Sequence, residues 1–281
     1  MLALLATMAG GYANPDQLVE TDWVAAHARD VRIIDMRRTG YEQGHVPGAL
    51  YLAPEAIRDA ANAPTFLPTP AAFASMMERL AISDATRVVV YDERGGIYAA
   101  RLWWILNYFG HTNVALMNGG WTKWTAERLP SENGVPAMSG PAHFTPRPQP
   151  RWIATASDVV AAINQPTIKI VDARTAAEIA GTSLQGVKRG GFVPSSTPVY
   201  WEDLLDVTTR AFKSAEEIRQ IYESRGILPA NEVIAYCLVG MRASVDLFAL
   251  HLVGYDNIRN YYGAWEEWGN RDDLPIATKK P

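Results

Sequence analysis

The sequence predicts an α/β protein built from two tandem copies of one domain, each a parallel sheet with helices on both faces. Three observations carry this. The chain aligns with itself: "VVVYDERGGIYAARLWWILNYFGHTNVALMNGGWTKWTAERLP" (88–130) lies over "VIAYCLVGMRASVDLFALHLVGYDNIRNYYGAWEEWGNRDDLP" (233–275) at an offset of 145 that drifts by one residue. Short β-rich runs alternate with helical patterns within each copy. The strand candidates are apolar on both faces, as strands covered twice must be.

The elements follow in order. The opening "MLALLATMAGGYAN" (1–14) is a short apolar run ending in Gly11-Tyr12-Ala13. It fits a secretory signal lacking its basic n-region, with export to the periplasm, and equally an unstructured leader or misplaced start on a cytoplasmic chain. The first copy is expected over 15–130, with strands at Ile33–Met36, inside "VRIIDMR", and at Val88–Tyr91, and a helix in "PAAFASMMERLAI" (70–82). "SENGVPAMSGPAHFTPRPQP" (131–150) holds five prolines and two glycines and reads as an extended linker. The second copy is expected over 151–281. Its "IKIVDAR" (168–174) answers "VRIIDMR", with a strand at Ile168–Asp172, and its "AEEIRQIYESRGI" (215–227) answers the helix at 70–82. Ser214 and Glu217 form a capping box, Ile218, Ile221 and Tyr222 line one face, and Gly226 ends the helix. A strand at Val233–Tyr236 then runs into a helix marked by Val245, Phe248, Ala249 and Leu252.

Composition narrows the function. With 48% hydrophobic residues and nine tryptophans in 281 residues, the chain can build real cores. Its net charge of -4 and lack of a basic, aromatic-interleaved patch argue against a nucleic-acid partner. No apolar run approaches the ~18 residues of a membrane span. One cysteine rules out an internal disulfide, and His27, His45, His111, His143 and His251 show no ligand spacing with it, so a metal site is disfavoured.

That cysteine, Cys237, stands where ligands bind in open α/β sheets, at the carboxyl end of a strand as the chain turns into a helix. "CLVGMR" must curl tightly, and Gly240 supplies the backbone freedom. Successive N–H groups of such a loop point inward and make a cup for negative charge. A sulfur held there, with Arg242 at the rim, is expected to be a reactive thiolate. Most free cysteines are buried small hydrophobes. Here strand, glycine turn, arginine and helix converge on one atom, which favours chemistry.

These residues resemble the tandem-domain rhodaneses, or sulfurtransferases, from about Leu18 to Ile276. The likeness rests on "IIDMRRTGYEQGHVPGALYL" (33–52), "VVVYDERGGIYAARLWWILNYFGH" (88–111), "NGGWTKW" (118–124), "VDARTAAEIAG" (171–181), the cysteine loop and "GAWEEWGNRDDLP" (263–275). The resemblance implies two rhodanese-like domains and a ping-pong transfer without a cofactor. Cys237 attacks a small sulfur donor, thiosulfate or a relative such as 3-mercaptopyruvate, and keeps the sulfur as a persulfide until a thiol or cyanide removes it. The amides of Leu238, Val239, Gly240, Met241 and Arg242 would stabilise the anionic sulfur. Arg242 and Arg174 would orient the donor's anionic end, and Lys188 and Arg189 would add positive potential if "GVKRGGFVP" folds near the cleft.

Several positions modify that expectation. Asp92 replaces the cysteine in the first copy, which should therefore be catalytically silent and complete the cleft. His45 is expected to serve a turn, because the copy with the thiol has Phe192 at the matching place. The pairs Trp103-Trp104, Tyr261-Tyr262 and Trp265/Trp268 read as core or interface packing, and Arg94-Gly95-Gly96, which could make an anion nest, reads as a plain turn for want of a nucleophile. Leu238 and Val239 suggest an apolar loop wall, less suited to a dianion than to a persulfide or thiol-bearing carrier. Cysteine phosphatases and arsenate-type reductases are the neighbouring alternative, but they place five residues between Cys and Arg, and this chain has four. A persulfide carrier that does not turn over is the other.

Overall fold

The structure, a computed structural model, describes residues 11–63, 66–134 and 142–278. Most of the leader, residues 1–10, lies outside the described residues, as does 135–141 of the expected linker. Among the described residues the strands form two five-stranded, all-parallel sheets. The first holds β1 (Leu18–Val19), β2 (Arg32–Asp35), β3 (Leu50–Tyr51), β4 (Val88–Tyr91) and β5 (Val114–Met117) in the order β1-β5-β4-β2-β3. The second holds β6 (Ile153–Ala154), β7 (Ile168–Asp172), β8 (Thr197–Pro198), β9 (Glu232–Tyr236) and β10 (Ile258–Tyr261) in the order β6-β10-β9-β7-β8. Counted from the first strand of each half, the two orders are identical, so the duplication in sequence is also one in topology.

Side-chain alternation shows why each sheet is covered twice. Ile34, Val88, Val90, Val114 and Leu116 join the core cluster that holds α2 (Pro70–Arg79) and α3 (Ala99–Tyr108). Their neighbours Ile33, Val89, Tyr91, Ala115 and Met117 point the other way, toward Val24 of α1 (Thr21–His27) and Trp124 of α4 (Gly120–Ala126). In the second half, Val171, Val233 and Ala235 face α7 (Ala215–Glu223) and α8 (Met241–Leu252). Ile170, Ile234 and Tyr236 face α5 (Ala156–Ala162) and α9 (Ala264–Trp268). The remaining helix, α6 (Ala176–Ile179), follows β7. The Ser214–Glu217 capping box on α7 is formed as expected, and Thr155 with Asp158 on α5 and Thr175 with Glu178 on α6 make two more.

The two halves share one core. Helices α3 and α8, the helices that follow β4 and β9, pack on each other, with Trp103 edge-on to Phe248 at 5.1 Å. That contact brings the loop after each central strand close to the opposite half. The segment 142–149 has no regular structure but is strapped down: Phe144 is buried against Phe73, and the amides of Arg147 and Gln149 donate to Phe109 and Tyr108. His45 serves a turn, stacked on Tyr41 with its Nδ1 on the Tyr41 carbonyl, 2.9 Å away. His45 bridges to Glu132 and Phe192 bridges to Ala277, so the two copies close the same way with different side chains.

Candidate active site

Strand pairing sets the site. Register in the second sheet runs from Ile168 opposite Glu232 to Asp172 opposite Tyr236, and places Cys237 just beyond the sheet's carboxyl edge. The loop then bends into α8 at Gly240, whose φ of 75° is open to glycine at little cost. A Cβ there would also collide with the Tyr262 ring. Three of the loop's carbonyls are held by other groups: Cys237 and Leu238 accept from the Trp265 and Glu266 amides, both at 2.9 Å. The Gly240 carbonyl accepts from Ser244 Oγ and Asn260 Nδ2, at 3.0 and 3.1 Å. Among the described residues, no acceptor takes the amides of Leu238 to Ala243.

The first copy shows what such a loop holds. Asp92, at the place of Cys237, is fully buried, and its carboxylate accepts four backbone amides, from Arg94 (2.8 Å), Gly96 (2.9 Å), Tyr98 (2.7 Å) and Ala99 (3.0 Å). The plain turn expected at Arg94-Gly95-Gly96 is therefore an anion nest that contains its own anion. Its mouth is closed by the second half, where Leu205 and Arg210 press on Gly95.

Cys237 itself is fully buried. Charged and polar groups reach it from both halves: Arg242, Arg101 and Tyr262 all interact electrostatically with the sulfur. A cleft of about 200 Å³ that meets the cysteine loop at Met241 is lined by Arg38, Pro54, Glu55, Arg58, Arg101 and Met241. Arg242 points both ways. Its Nη1 and Nη2 each sit 2.7 Å from a Glu178 oxygen, and burial, which disfavours its charge, is outweighed by Glu178 and Cys237, so its pKa is raised. Burial would raise Glu178, but the bonds from Arg242 and Thr175 hold it down to about 2.

Three expectations about cations need correction. Arg174 does not reach the cleft: it is 1% exposed, forks onto Asp172 at 2.9 and 2.7 Å, donates to the Gly191 carbonyl and lies over Trp265. Arg37 does the same with Asp35, Gly44 and Trp121 in the copy without a thiol. The pair "DMR" and "DAR" carried that signal, since a residue kept in the silent copy is structural. Arg189 fastens the C-terminal segment through the carbonyls of Trp268, Arg271 and Leu274. Lys188 is exposed, its amide held by Asn270, and does not line the cleft. The apolar wall is also reassigned. Leu238 packs into the second-half core, so the cleft's apolar contribution beside the loop comes from Met241, among arginines.

The residues that sequence reasoning missed are Arg38, Arg58 and Arg101 from the first half, and Glu178 and Tyr262 from the second. Tyr262 was expected only to pack. Its ring does so, yet its buried hydroxyl finds no acceptor among the described residues. The Thr175-x-x-Glu178 cap was legible in the sequence, but its second use, gripping Arg242, needed the fold.

Comparison with known proteins agrees with this architecture. The Rhodanese-like domain model matches twice, over residues 20–127 and 155–271. The chain belongs to the rhodanese family. This rhodanese is 34% identical to the sulfur carrier protein TtuD of Thermus thermophilus, covering 95% of this chain and 98% of that one. It is 33% identical to the 3-mercaptopyruvate sulfurtransferase of Escherichia coli (93% and 98% covered) and 31% identical to the thiosulfate sulfurtransferase of Corynebacterium glutamicum (95% and 92%). The crystal structure of SseA from Escherichia coli superposes with a TM-score of 0.79 at 30% identity, covering 89% of this chain and 98% of that one. The tandem fold and sulfurtransferase activity follow from this kinship.

Proposed function

We propose that this rhodanese carries sulfane sulfur as a persulfide on Cys237, taken from thiosulfate or 3-mercaptopyruvate and passed to a thiol or to cyanide. The Asp92 loop supports this most directly: a loop of the same origin arranges four amides around one buried anion. At Cys237 the corresponding amides have no acceptor among the described residues and can serve an anionic sulfur instead. With thiosulfate, the Cys237 thiolate attacks the outer sulfur, the S–S bond breaks, and sulfite leaves with its electron pair. The acceptor then attacks the outer sulfur of the persulfide and returns the thiolate. Arg242, held by Glu178, supplies fixed positive charge beside the sulfur throughout. Asp92 cannot hold a sulfane sulfur, and its half contributes cleft residues.

The test is to mix the protein with thiosulfate, weigh it intact, then add cyanide and measure thiocyanate, with Cys237→Ser as control. A gain of one sulfur atom that cyanide removes, absent in the variant, supports the assignment. A sulfur gained by Cys237→Ser refutes it. The likeness to a sulfur carrier protein favours a second reading, a carrier rather than a multiple-turnover enzyme. Sulfur gained once, with no turnover to cyanide or small thiols, would select that reading.

A further inference from the structure

The cations around the cleft are unevenly matched. Arg38 pairs with Glu55 at 3.0 Å, Arg58 with Glu266, and Arg242 with Glu178. Arg101, on α3 of the thiol-free half, pairs with no carboxylate among the described residues. It is 1% exposed, it lines the cleft, and its Nε and Nη2 have no hydrogen-bond partner among the described residues. The Tyr262 hydroxyl is wholly buried as well and, facing the Arg101 guanidinium, finds no acceptor for its proton among the described residues. The two lie together, the Arg101 guanidinium 5.2 Å from the Tyr262 ring centroid. Trp104 at 4.9 Å and the backbone at Gly240 hold that ring in place.

Buried donors without acceptors are costly, and native proteins retain few of them. These two come from different halves, converge beside the sulfur, and each has a proton to donate: a guanidinium only donates, and burial, which holds the phenol above its ordinary pKa, keeps its O–H proton in place even where its oxygen accepts from Arg101. Their natural ligand is an oxygen-bearing anion. We propose that Tyr262 and Arg101 form the subsite for the anionic oxygen group of the sulfur donor, the sulfonate of thiosulfate or the carboxylate of a mercapto acid. Tyr262 is thus a specificity-determining residue. In the thiosulfate reaction, the hydroxyl and guanidinium bind sulfonate oxygens and retain their protons, while sulfite departs with the S–S electron pair.

This inference rests on the Cys237 persulfide, and the experiment separates the two. Single-turnover sulfur loading of Cys237 is followed by intact mass against the concentration of thiosulfate, 3-mercaptopyruvate, and inorganic polysulfide, which carries sulfane sulfur but no oxygen. Tyr262→Phe and Arg101→Gln should each lower the loading efficiency with an oxyanion donor, relative to polysulfide, by about 10- to 100-fold, the scale of a lost hydrogen bond to a charged group. Arg101→Lys should recover part of that loss. Loss confined to the thiosulfate arm or to the mercaptopyruvate arm names the donor. An efficiency ratio that stays within about twofold of wild type in Tyr262→Phe, which removes a single oxygen, overturns the subsite, as does an equal fall with all three donors. Wild-type Cys237 left unmodified by every donor instead overturns the persulfide assignment beneath it.

Discussion

Replacing Asp92 with alanine tests whether the loop after the central strand is an anion cradle. The carboxylate accepts four amides at 2.7 to 3.0 Å in a fully buried setting. Deleting it orphans four donors, each worth about 1–3 kcal/mol if left without a partner. The sum overstates the effect, because burying the carboxylate was itself unfavourable and a water can enter the vacated space. A net loss of about 3–5 kcal/mol is expected, the scale on which breaking one side of a buried charge network is felt. For domains of this size, that corresponds to a fall in Tm on the order of 10 °C. Urea unfolding with a fitted m-value and differential scanning calorimetry measure it. Asp92→Asn keeps one acceptor oxygen and should fall between wild type and Asp92→Ala. A loss below about 1 kcal/mol in Asp92→Ala would refute the reasoning, and would weaken the case for the equivalent amides at Cys237.

Three further outcomes are expected. Gly240→Ala forces a Cβ into the Tyr262 ring at a φ of 75°, so sulfur loading should fall by more than about tenfold with a stability loss of roughly 1–3 kcal/mol; a fully active variant would contradict the loop geometry. Glu178 sits near 2 in the folded state against an ordinary 4.5. A depressed folded value means its contribution, about 1–2 kcal/mol after solvent screening, is complete above the ordinary range and lost as pH falls from about 4.5 toward 2. Glu178→Gln should remove that part of the acid-unfolding curve and slow sulfur loading roughly tenfold by loosening Arg242; an unchanged acid limb would argue against the pair. Arg174→Gln leaves buried Asp172 without its counter-charge, held by the Tyr236 hydroxyl and the residue-174 amide, which should cost about 3–5 kcal/mol in chemical unfolding while leaving the KM for thiosulfate within about twofold. A selective rise in KM with intact stability would return Arg174 to the cleft.

Much of the fold was legible because its determinants are local or periodic. The repeat, the strand Val88–Tyr91, the strand Ile168–Asp172 and the Ser214–Glu217 cap were all read from spacing, and the structure forms them. Comparing one copy with the other also settled His45. The same comparison, applied to "DMR" and "DAR", identifies Arg174 as structural, because Arg37 makes the same fork in the copy without a thiol.

What the sequence by itself determined is the duplicated α/β architecture, the position of Cys237 at the end of a central strand, and the glycine turn that follows it. Those properties depend on hydrophobic period and backbone freedom, which neighbouring residues dictate. Tertiary structure alone decided which charges meet. Arg101 and Arg58 reach the cleft only because α3 and α8 pack across the two halves, Glu178 captures Arg242 from 64 residues away, and Arg189 is spent on the C-terminal segment. A cation's role depends on which carboxylate or carbonyl lies within about 3 Å of it, and sequence spacing does not encode that distance between separate elements.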